Sequence, residues 1–365
     1  MQKRNGNIEL MRLVFCVIVI LFHCRNAIEI KLPAPFEFFS KGKIGVEFFF
    51  LVSGWLLAKN AKKHYVTNNI AVDTQRFLFK KLRSVLPYHV TVYAVCLAVS
   101  FALKTEYTAK DSFLSVIDTL PNFFFIQNSG VHKRTLITPE WYVAAMLLMM
   151  AIIYPLVLKY RERFTRLACP LIVIFSIGYM IHSQGKLGGV ERWVFGNSFP
   201  KGYLRAFCEI CGGAFCFEVS GFIKRLNFSR ADRLLLTAAE FICYALPIAY
   251  TFSDFPNSYE AYAFYSLAIA VTLTFSEVTY FSGKLNNSFI YALGRFSLPL
   301  YYAQRLGFII IGNTALGEMR VRNQLLFCFA TTLAFALLLV PVNKLFTKAF
   351  NGKVNALRSK KELAV

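Results

Sequence analysis

The sequence predicts an all-α membrane protein, a polytopic bundle of about ten transmembrane helices with both termini in the cytoplasm. Of its 365 residues, 56% are hydrophobic and only 17% are charged. Soluble proteins carry about a quarter charged residues. Phe alone occurs 38 times, mostly inside long apolar runs, and membrane-spanning helices require such runs.

The charge surplus is concentrated in short loops between the apolar runs. Lys and Arg number 41 against 20 Asp and Glu, which gives a net charge of +21. Such a surplus can indicate nucleic-acid binding, but its position in the loops is the positive-inside pattern of membrane proteins. The expected partners are therefore membrane lipid and a phosphorylated small molecule, and no nucleic acid.

Loop charge also decides how often the chain crosses the membrane. The apolar run 112–127 contains Asp118 and Pro121, and counting it as a span would move the later basic loops outside. We therefore predict that it is re-entrant or lies at the surface. Residues 1–350 form one membrane domain in this interpretation, and residues 351–365 form a basic cytoplasmic tail. The predicted spans are 9–24, 44–58, 84–103, 142–158, 167–182, 203–220, 234–251, 261–281, 289–312 and 324–346.

The first span carries a guanidinium at Arg12 and an imidazole at His23. On a helix, the intervening steps of about 100° make about three turns, so both side chains share one face. A rise of about 1.5 Å per residue places them about 16 Å apart. An ionisable pair on one face of a membrane helix indicates a functional site. Because imidazole works as a general base near neutral pH, His23 is the first candidate catalytic residue.

The second span adds a carboxylate and a hydroxyl. Glu47 is predicted at a depth close to that of His23, where it would orient and polarise the imidazole. An interfacial glutamate among lipid headgroups is the alternative interpretation. Ser53, followed by Gly54, indicates a point of close helix packing, with a nucleophile as the alternative.

Basic residues mark the cytoplasmic beginning of the third span, on the same side as Arg12. They form either a rim that binds phosphate groups or an ordinary positive-inside anchor. These residues are Lys80, Lys81 and Arg83.

Three later spans carry further polar residues. Glu140 and Trp141 begin the fourth span, where an aromatic belt is the structural interpretation. Arg205 and Glu209 are one helical turn apart, which predicts a structural ion pair. The ninth span has more polar groups than a structural helix needs, namely Arg295, Gln304 and Arg305.

The sequence lacks the motifs of several common enzyme classes. It contains no HExxH, GxSxG, Walker or Rossmann pattern, and no cluster with metal-ligand spacing. A metal site, a permanently bound cofactor and an NTP-driven pump are therefore not expected.

Five segments, taken together, form a family pattern. The spacing Arg12-x10-His23 is followed by GVEFFFLVSGW at 45–55, FLFKKLRSVLPY at 77–88, EWYVAAM at 140–146 and LGRFSLPLY at 293–301. In the same order they resemble motifs of the bacterial acyltransferase-3 family: R-x10-H, G-V-x-x-F-F-x-x-S-G-F, a basic stretch ending in Pro-Tyr, W-Y-L-S-A and L-G-x-x-S-L-x-x-Y. The family consists of integral-membrane O-acyltransferases that modify surface glycans.

Two positions depart from the family pattern. The arginine often found three residues before the third-helix proline is replaced by Ser84, with Arg83 one position earlier. The late histidine is replaced by Gln304. The first departure concerns the ligand of the donor phosphate, and the second suggests that the late histidine is dispensable or that this member is specialised.

The resemblance implies transfer of an acyl group, commonly acetyl, from cytoplasmic acyl-CoA to a hydroxyl of a surface or lipid-linked glycan, in the bacterial inner membrane. His23 would be the general base with Glu47 orienting it, or would carry the acyl group itself. The donor-binding residues would be Arg12, Lys80, Lys81 and Arg83. The residues lining the acceptor side or the channel would be Trp141, Glu140, Ser53 and Arg295.

Two other functions remain open from the sequence. A secondary transporter or glycan-lipid flippase would use the same intramembrane charges as a substrate path. A non-catalytic membrane partner would keep the fold without binding acyl-CoA.

Overall fold

The computed structural model describes residues 4–28, 30, 36–65, 69–104, 108–130 and 135–362, with side chains up to 349. Within these residues the chain forms eleven α-helices and a single pair of two-residue strands, β1 (Trp193–Val194) and β2 (Phe199–Pro200), which are antiparallel. The helices are α1 (Gly6–Ile28), α2 (Ile44–Lys63), α3 (Ile70–Leu103), α4 (Ala109–Phe123), α5 (Trp141–Arg163), α6 (Cys169–Gln184), α7 (Lys201–Ile223), α8 (Arg230–Tyr250), α9 (Glu260–Ser276), α10 (Ser288–Gly312) and α11 (Val321–Glu362).

Every predicted membrane span coincides with one helix, namely α1 to α3 and α5 to α11. Among the described residues, 7 stretches are long and apolar enough to cross a membrane, and Thr138–Gln184 contains both α5 and α6. The two remaining spans are α9, with 17 residues, and α10, which Arg295 and Arg305 make more polar. The predicted class, an all-α polytopic membrane bundle, is confirmed.

The ambiguous run 112–127 forms α4, which packs antiparallel to the outer half of α3. Tyr93 and Thr119 share a hydrogen bond of 2.7 Å, and His89 Nε2 lies 2.9 Å from the carbonyl oxygen of Phe123. His89 lies about 21 Å before the end of α3, from the rise per residue. The end of α4 therefore returns to the depth of His89, as a re-entrant helix does.

The length and the first turn of α4 agree with a helix that enters the membrane without crossing it. Its 15 residues span about 22 Å, less than the hydrocarbon core of about 30 Å. Thr108 and Asp111 form a capping box at its first turn. The hydrogen bonds from the Thr108 hydroxyl and amide lower the pKa of Asp111, so its carboxylate stays charged at the positive end of the helix.

The centre of the bundle is the crossing of α2 with α7. A Cβ atom on Gly54 would lie 2.0 Å from the carbonyl oxygen of Ile210, and one on Gly213 would lie 2.0 Å from that of Leu51. Only glycine permits this approach of two helix backbones. The predicted close-packing point at Gly54 is confirmed, and α5, α6 and α9 pack around α7.

Helices α1 and α10 form a second tight pair. Gly294 of α10 faces Glu9 of α1, because a Cβ there would lie 2.8 Å from the Glu9 Cα. Further along, Cys16 Sγ donates to the carbonyl oxygen of Ser297 at 3.2 Å. Both contacts advance in the same chain direction, so the two helices are parallel.

The last helix does not break at residue 350. Helix α11 continues to Glu362, through most of the predicted tail at 351–365, whose last three residues lie outside the described part. The tail's cytoplasmic location stays a prediction.

Candidate functional site

A cavity of about 1080 Å³ opens between the helices at the end of the bundle that loop charge assigns to the cytoplasm. The N-terminal ends of α1 and α10 and the C-terminal ends of α2, α7 and α9 meet there. Cations outnumber carboxylates in its wall, so it favours anionic, phosphorylated ligands. The charged lining residues are Arg4, Glu9, Arg12, Lys59, Lys224, Glu277 and Arg295.

The two arginines predicted from α1 and α10 both line this cavity. Arg12 Nη1 lies 3.6 Å from Glu9 Oε2, and Arg4 Nη1 lies 3.6 Å from the other oxygen of Glu9. Arg295 is exposed and has no ion-pair partner in the described part of the chain. A single carboxylate thus neutralises only part of the charge of three arginines.

A stacked aromatic pair lies in another wall of the cavity, where Trp55 is buried and Phe275 is half-buried. The rings of Trp55 and Phe275 stack with centroids 3.7 Å apart and 5° between their planes. Trp55 Nε1 donates to Ser220 Oγ at 2.9 Å, which fixes the indole. The ammonium of Lys59 lies 4.9 Å from the Trp55 ring centroid. This wall therefore combines aromatic rings with a cation.

The three basic residues at the beginning of the third span have different surroundings in the structure. Lys81 interacts electrostatically with Arg12, and its ammonium lies 5.7 Å from the Phe77 ring centroid. Lys80 is exposed and Arg83 is half-buried. Neither of those two, nor Lys81, is among the residues that line the cavity. Of the four predicted donor-binding residues, the structure therefore brings Lys81 close to Arg12 and places only Arg12 in the wall.

His23 lies in the outer half of α1, half-buried beside Phe22. The charged group that acts on it is Arg305 of α10. At the other end, Arg12 pairs with Glu9, which lies against Gly294 of α10, so both ends of the predicted face have neighbours on or beside α10. Cys16 is fully buried between them against α10, and the cavity lining includes Arg12 but not His23.

Glu47 requires a correction, because it does not pair with His23. Its Oε1 accepts a hydrogen bond from Arg205 Nη2 at 2.9 Å. Arg205 Nε in turn donates to Glu209 Oε1 at 2.6 Å, so the predicted ion pair of Arg205 and Glu209 is confirmed. All three charged side chains are buried. A buried carboxylate needs a strong fixed partner, and a guanidinium between two carboxylates supplies it.

Three of the predicted acceptor-side or channel residues are packed between helices. The Trp141 ring lies 6.0 Å from that of Phe50 and 5.9 Å from the Arg205 guanidinium carbon. Ser53 Oγ is buried and lies 3.4 Å from the Tyr142 hydroxyl. Glu140 is fully buried. The fourth, Arg295, lines the cavity at the face that loop charge assigns to the cytoplasm.

The carboxylate–imidazole pair of this bundle joins Glu140 to His89, a residue that our sequence interpretation did not select. His89 Nδ1 lies 2.5 Å from Glu140 Oε1, and Asn122 Nδ2 donates to Glu140 Oε2 at 2.7 Å. A histidine inside a membrane span was a signal that could have indicated it. Its partner, 51 residues further along the chain, had no sequence signal.

These observations define a multi-pass helical membrane protein with a basic, aromatic cavity at one face and a histidine toward the other. The chain belongs to the acyltransferase-3 family: the family model, described as an acyltransferase domain, matches residues 5–341. It is therefore a membrane acyltransferase. No curated protein and no solved structure matched significantly. In the described part of the chain, no group of three or more His, Cys, Asp and Glu side chains is placed to hold a metal ion.

Proposed function

We propose that this acyltransferase moves an acyl group, in the first instance acetyl, from cytoplasmic acyl-CoA to a hydroxyl of a surface or lipid-linked glycan. The observation that carries the proposal is the cavity beside Arg12. The diphosphate and 3′-phosphate of CoA would bind its cations, among them Arg12, Lys224 and Arg295. The adenine would pack against Phe275, the more exposed ring of the stacked pair.

The donor's thioester end would extend from the cavity toward His23. Arg12 and His23 are about 16 Å apart along α1, a distance suited to the long, thin pantetheine arm. Polar groups continue inward from the cavity, because the Tyr142 hydroxyl interacts electrostatically with Arg12 and contacts Ser53. We place the arm along these groups. Because their side chains are packed together in the structure, they must move apart to admit it; buried Cys16 belongs to the apolar wall between the two ends.

In the proposed reaction His23 is the general base. Its imidazole takes the proton of the acceptor hydroxyl while the oxygen attacks the thioester carbonyl. The new C–O bond forms, the C–S bond breaks, and the CoA thiolate receives the proton from the imidazolium. Acyl-CoA is consumed as a co-substrate, and no permanently bound cofactor is needed. The proposed location is the bacterial inner membrane, with lipid around the bundle.

We expect His23→Ala to abolish O-acylation, because general-base help is typically worth about 10² to 10⁴ in rate. The measurement is mass spectrometry of surface glycans from cells that lack the protein, express the wild type or express the variant at equal level. The wild type should add an acetyl-sized increment that the variant does not. Arg12→Gln should instead raise the KM for acetyl-CoA about tenfold, the loss of about 1.4 kcal/mol of phosphate binding.

Undiminished glycan acylation by His23→Ala would contradict the assignment of the base. A glycan change that needs no acyl-CoA and tolerates His23→Gln would instead support the transporter or flippase. Arg320→Gln serves as the control for protein handling, because Arg320 is exposed and follows α10 on the outer side.

A further inference from the structure

Helix α10 carries Arg305 at the depth of His23. The contact of Cys16 with the Ser297 carbonyl sets the register of the parallel helices α1 and α10. His23 lies about 11 Å beyond Cys16, and Arg305 lies about 12 Å beyond Ser297, at about 1.5 Å per residue. The two side chains therefore share one level, in agreement with the electrostatic interaction between them.

The guanidinium of Arg305 is held from one side only. Its Nε donates to the carbonyl oxygen of Leu136 at 2.8 Å, which ties it to the segment that precedes α5. Its two terminal nitrogens have no hydrogen-bond partner among the residues that the structure describes. Neither nitrogen is one of the fully buried atoms that lack a partner. Because the guanidinium is a planar fork, fixing Nε also fixes the direction in which these donors point.

The neighbouring Gln304 is tied to its own helix. One N–H of its Nε2 donates to the carbonyl oxygen of Tyr301 at 2.8 Å, and its Oε1 is buried without a partner. The N–H that remains is a neutral donor, which binds a negative charge more weakly than a guanidinium N–H does. Arg305 is thus the preorganised cationic donor next to His23.

We propose that Arg305 is a second catalytic residue, whose terminal N–H groups bind the oxyanion formed on the thioester carbonyl beside His23. The inference rests on the proposed function. When the acceptor oxygen attacks, the carbonyl π electrons move to the carbonyl oxygen, and the guanidinium stabilises that charge. When the C–S bond breaks, the electrons return to the carbonyl and the CoA thiolate leaves. Such a donor acts on the transition state and hardly on the bound thioester, whose carbonyl oxygen is uncharged.

The test uses purified full-length protein in proteoliposomes with acetyl-CoA, and follows release of the CoA thiol with a thiol reagent. Methyl glycosides of glucose, galactose and mannose are offered as acceptors, with water as the acceptor in their absence. Removing one oxyanion donor costs about 10² to 10³ in kcat. We therefore expect Arg305→Gln to lower kcat by that factor with the KM for acetyl-CoA within about twofold. Guanidinium chloride at millimolar concentration should restore part of the activity of Arg305→Ala.

Two variants serve as comparisons. Arg320→Gln removes the same charge from an exposed position on the outer side and should keep wild-type kcat. Arg305→Lys keeps the charge but loses the planar fork, so its kcat should fall about tenfold. If Arg305→Gln gives no monodisperse protein, the kcat of Arg305→Lys tests the proposal instead. A kcat of Arg305→Lys equal to that of the wild type would overturn it.

The outcomes separate this inference from the function on which it rests. A wild-type protein that releases no CoA with any of these acceptors overturns the proposed function and the role of Arg305 with it. An active wild type, an inactive His23→Ala and an Arg305→Gln with kcat within about threefold of wild type overturn the role of Arg305 alone. A folded Arg305→Ala that guanidinium does not rescue assigns Arg305 to holding Leu136, which also overturns it.

Discussion

The two imidazoles inside the bundle, His23 and His89, have opposite surroundings. Both ring nitrogens of His89 face oxygen acceptors, the Glu140 carboxylate and the Phe123 carbonyl. Both nitrogens of this ring are therefore occupied by hydrogen bonds within the protein. His23 instead lies half-buried in α1, with Arg305 as the charged group that acts on it. The first arrangement is a structural lock, and His23 is not locked in this way.

This contrast predicts effects of different size for the two alanine substitutions. His89→Ala leaves the buried Glu140 carboxyl and the Phe123 carbonyl without their partner, so the free energy of unfolding should fall by about 1–3 kcal/mol. His23→Ala removes a half-buried ring and should cost about 1 kcal/mol or less. Thermal unfolding of the purified variants in one detergent measures the difference. Equal unfolding midpoints for the two variants would contradict the lock at His89.

The sequence was sufficient to select individual residues of the site, but it did not show which of them contact each other. Arg12, His23 and Arg295 stood out because charge inside an apolar run has an energetic cost and needs a reason. Their neighbours depend on which helices touch, and apolar composition does not encode that. Glu47 illustrates this: its depth agreed with pairing to His23, but α2 crosses α7, where Arg205 is the partner.

At the scale of the elements, the α2–α7 crossing determines which side chains meet. The backbones approach closely at Gly54 and Gly213, and small residues drive such contacts where lipid removes the hydrophobic force between helices. The same crossing brings Glu47 to Arg205, so that one buried guanidinium lies between two buried carboxyl groups. A change in this contact therefore disturbs both packing and ion pairing.

We expect Gly213→Ala to destabilise the bundle, because its Cβ would meet the Leu51 carbonyl oxygen, a backbone atom. Overpacking typically costs about 1–3 kcal/mol. The matched control is Gly178→Ala in α6, where a Cβ would have nothing within 4 Å; alanine favours the helix there. The thermal unfolding midpoint should fall for the first variant and hold or rise for the second. The opposite order would contradict the close crossing.

Element boundaries were more predictable than element contacts. Each apolar run is bounded by basic or turn residues, because a helix must end where the hydrocarbon ends. The run 112–127 was ambiguous in hydropathy, and loop charge excluded it as a span. Whether it was re-entrant or superficial depended on the hydrogen bonds of Thr119 and Phe123 to α3, side-chain contacts that have no local sequence pattern.

In the molecule as a whole, the basic cavity lies at a different depth of the bundle from His23 and Arg305. The basic cavity opens at one face, while His23 and Arg305 share a level in the outer half. Re-entrant α4 brings Asn122 to the beginning of α5, where its Oδ1 accepts from the Ile137 amide at 2.8 Å. Non-helical backbone at membrane depth is tolerated where protein satisfies its polar groups. The Ile137 amide, in the non-helical segment before α5, meets that condition.

This course of α4 makes a topological prediction. Because α4 enters and leaves on one side, fusions after Lys104 and after Asn128 should both place a reporter outside, and one after Lys224 should place it in the cytoplasm. Alkaline phosphatase, active only outside, and a fluorescent protein, fluorescent only inside, report the two locations in a bacterial host. If α4 crossed instead, the Asn128 and Lys224 fusions would both change sides. That outcome would contradict the structure, because Lys59 before α4 and Lys224 after it line one cavity and must lie at the same face. A Lys224 reporter in the cytoplasm supports the orientation that the proposed reaction needs.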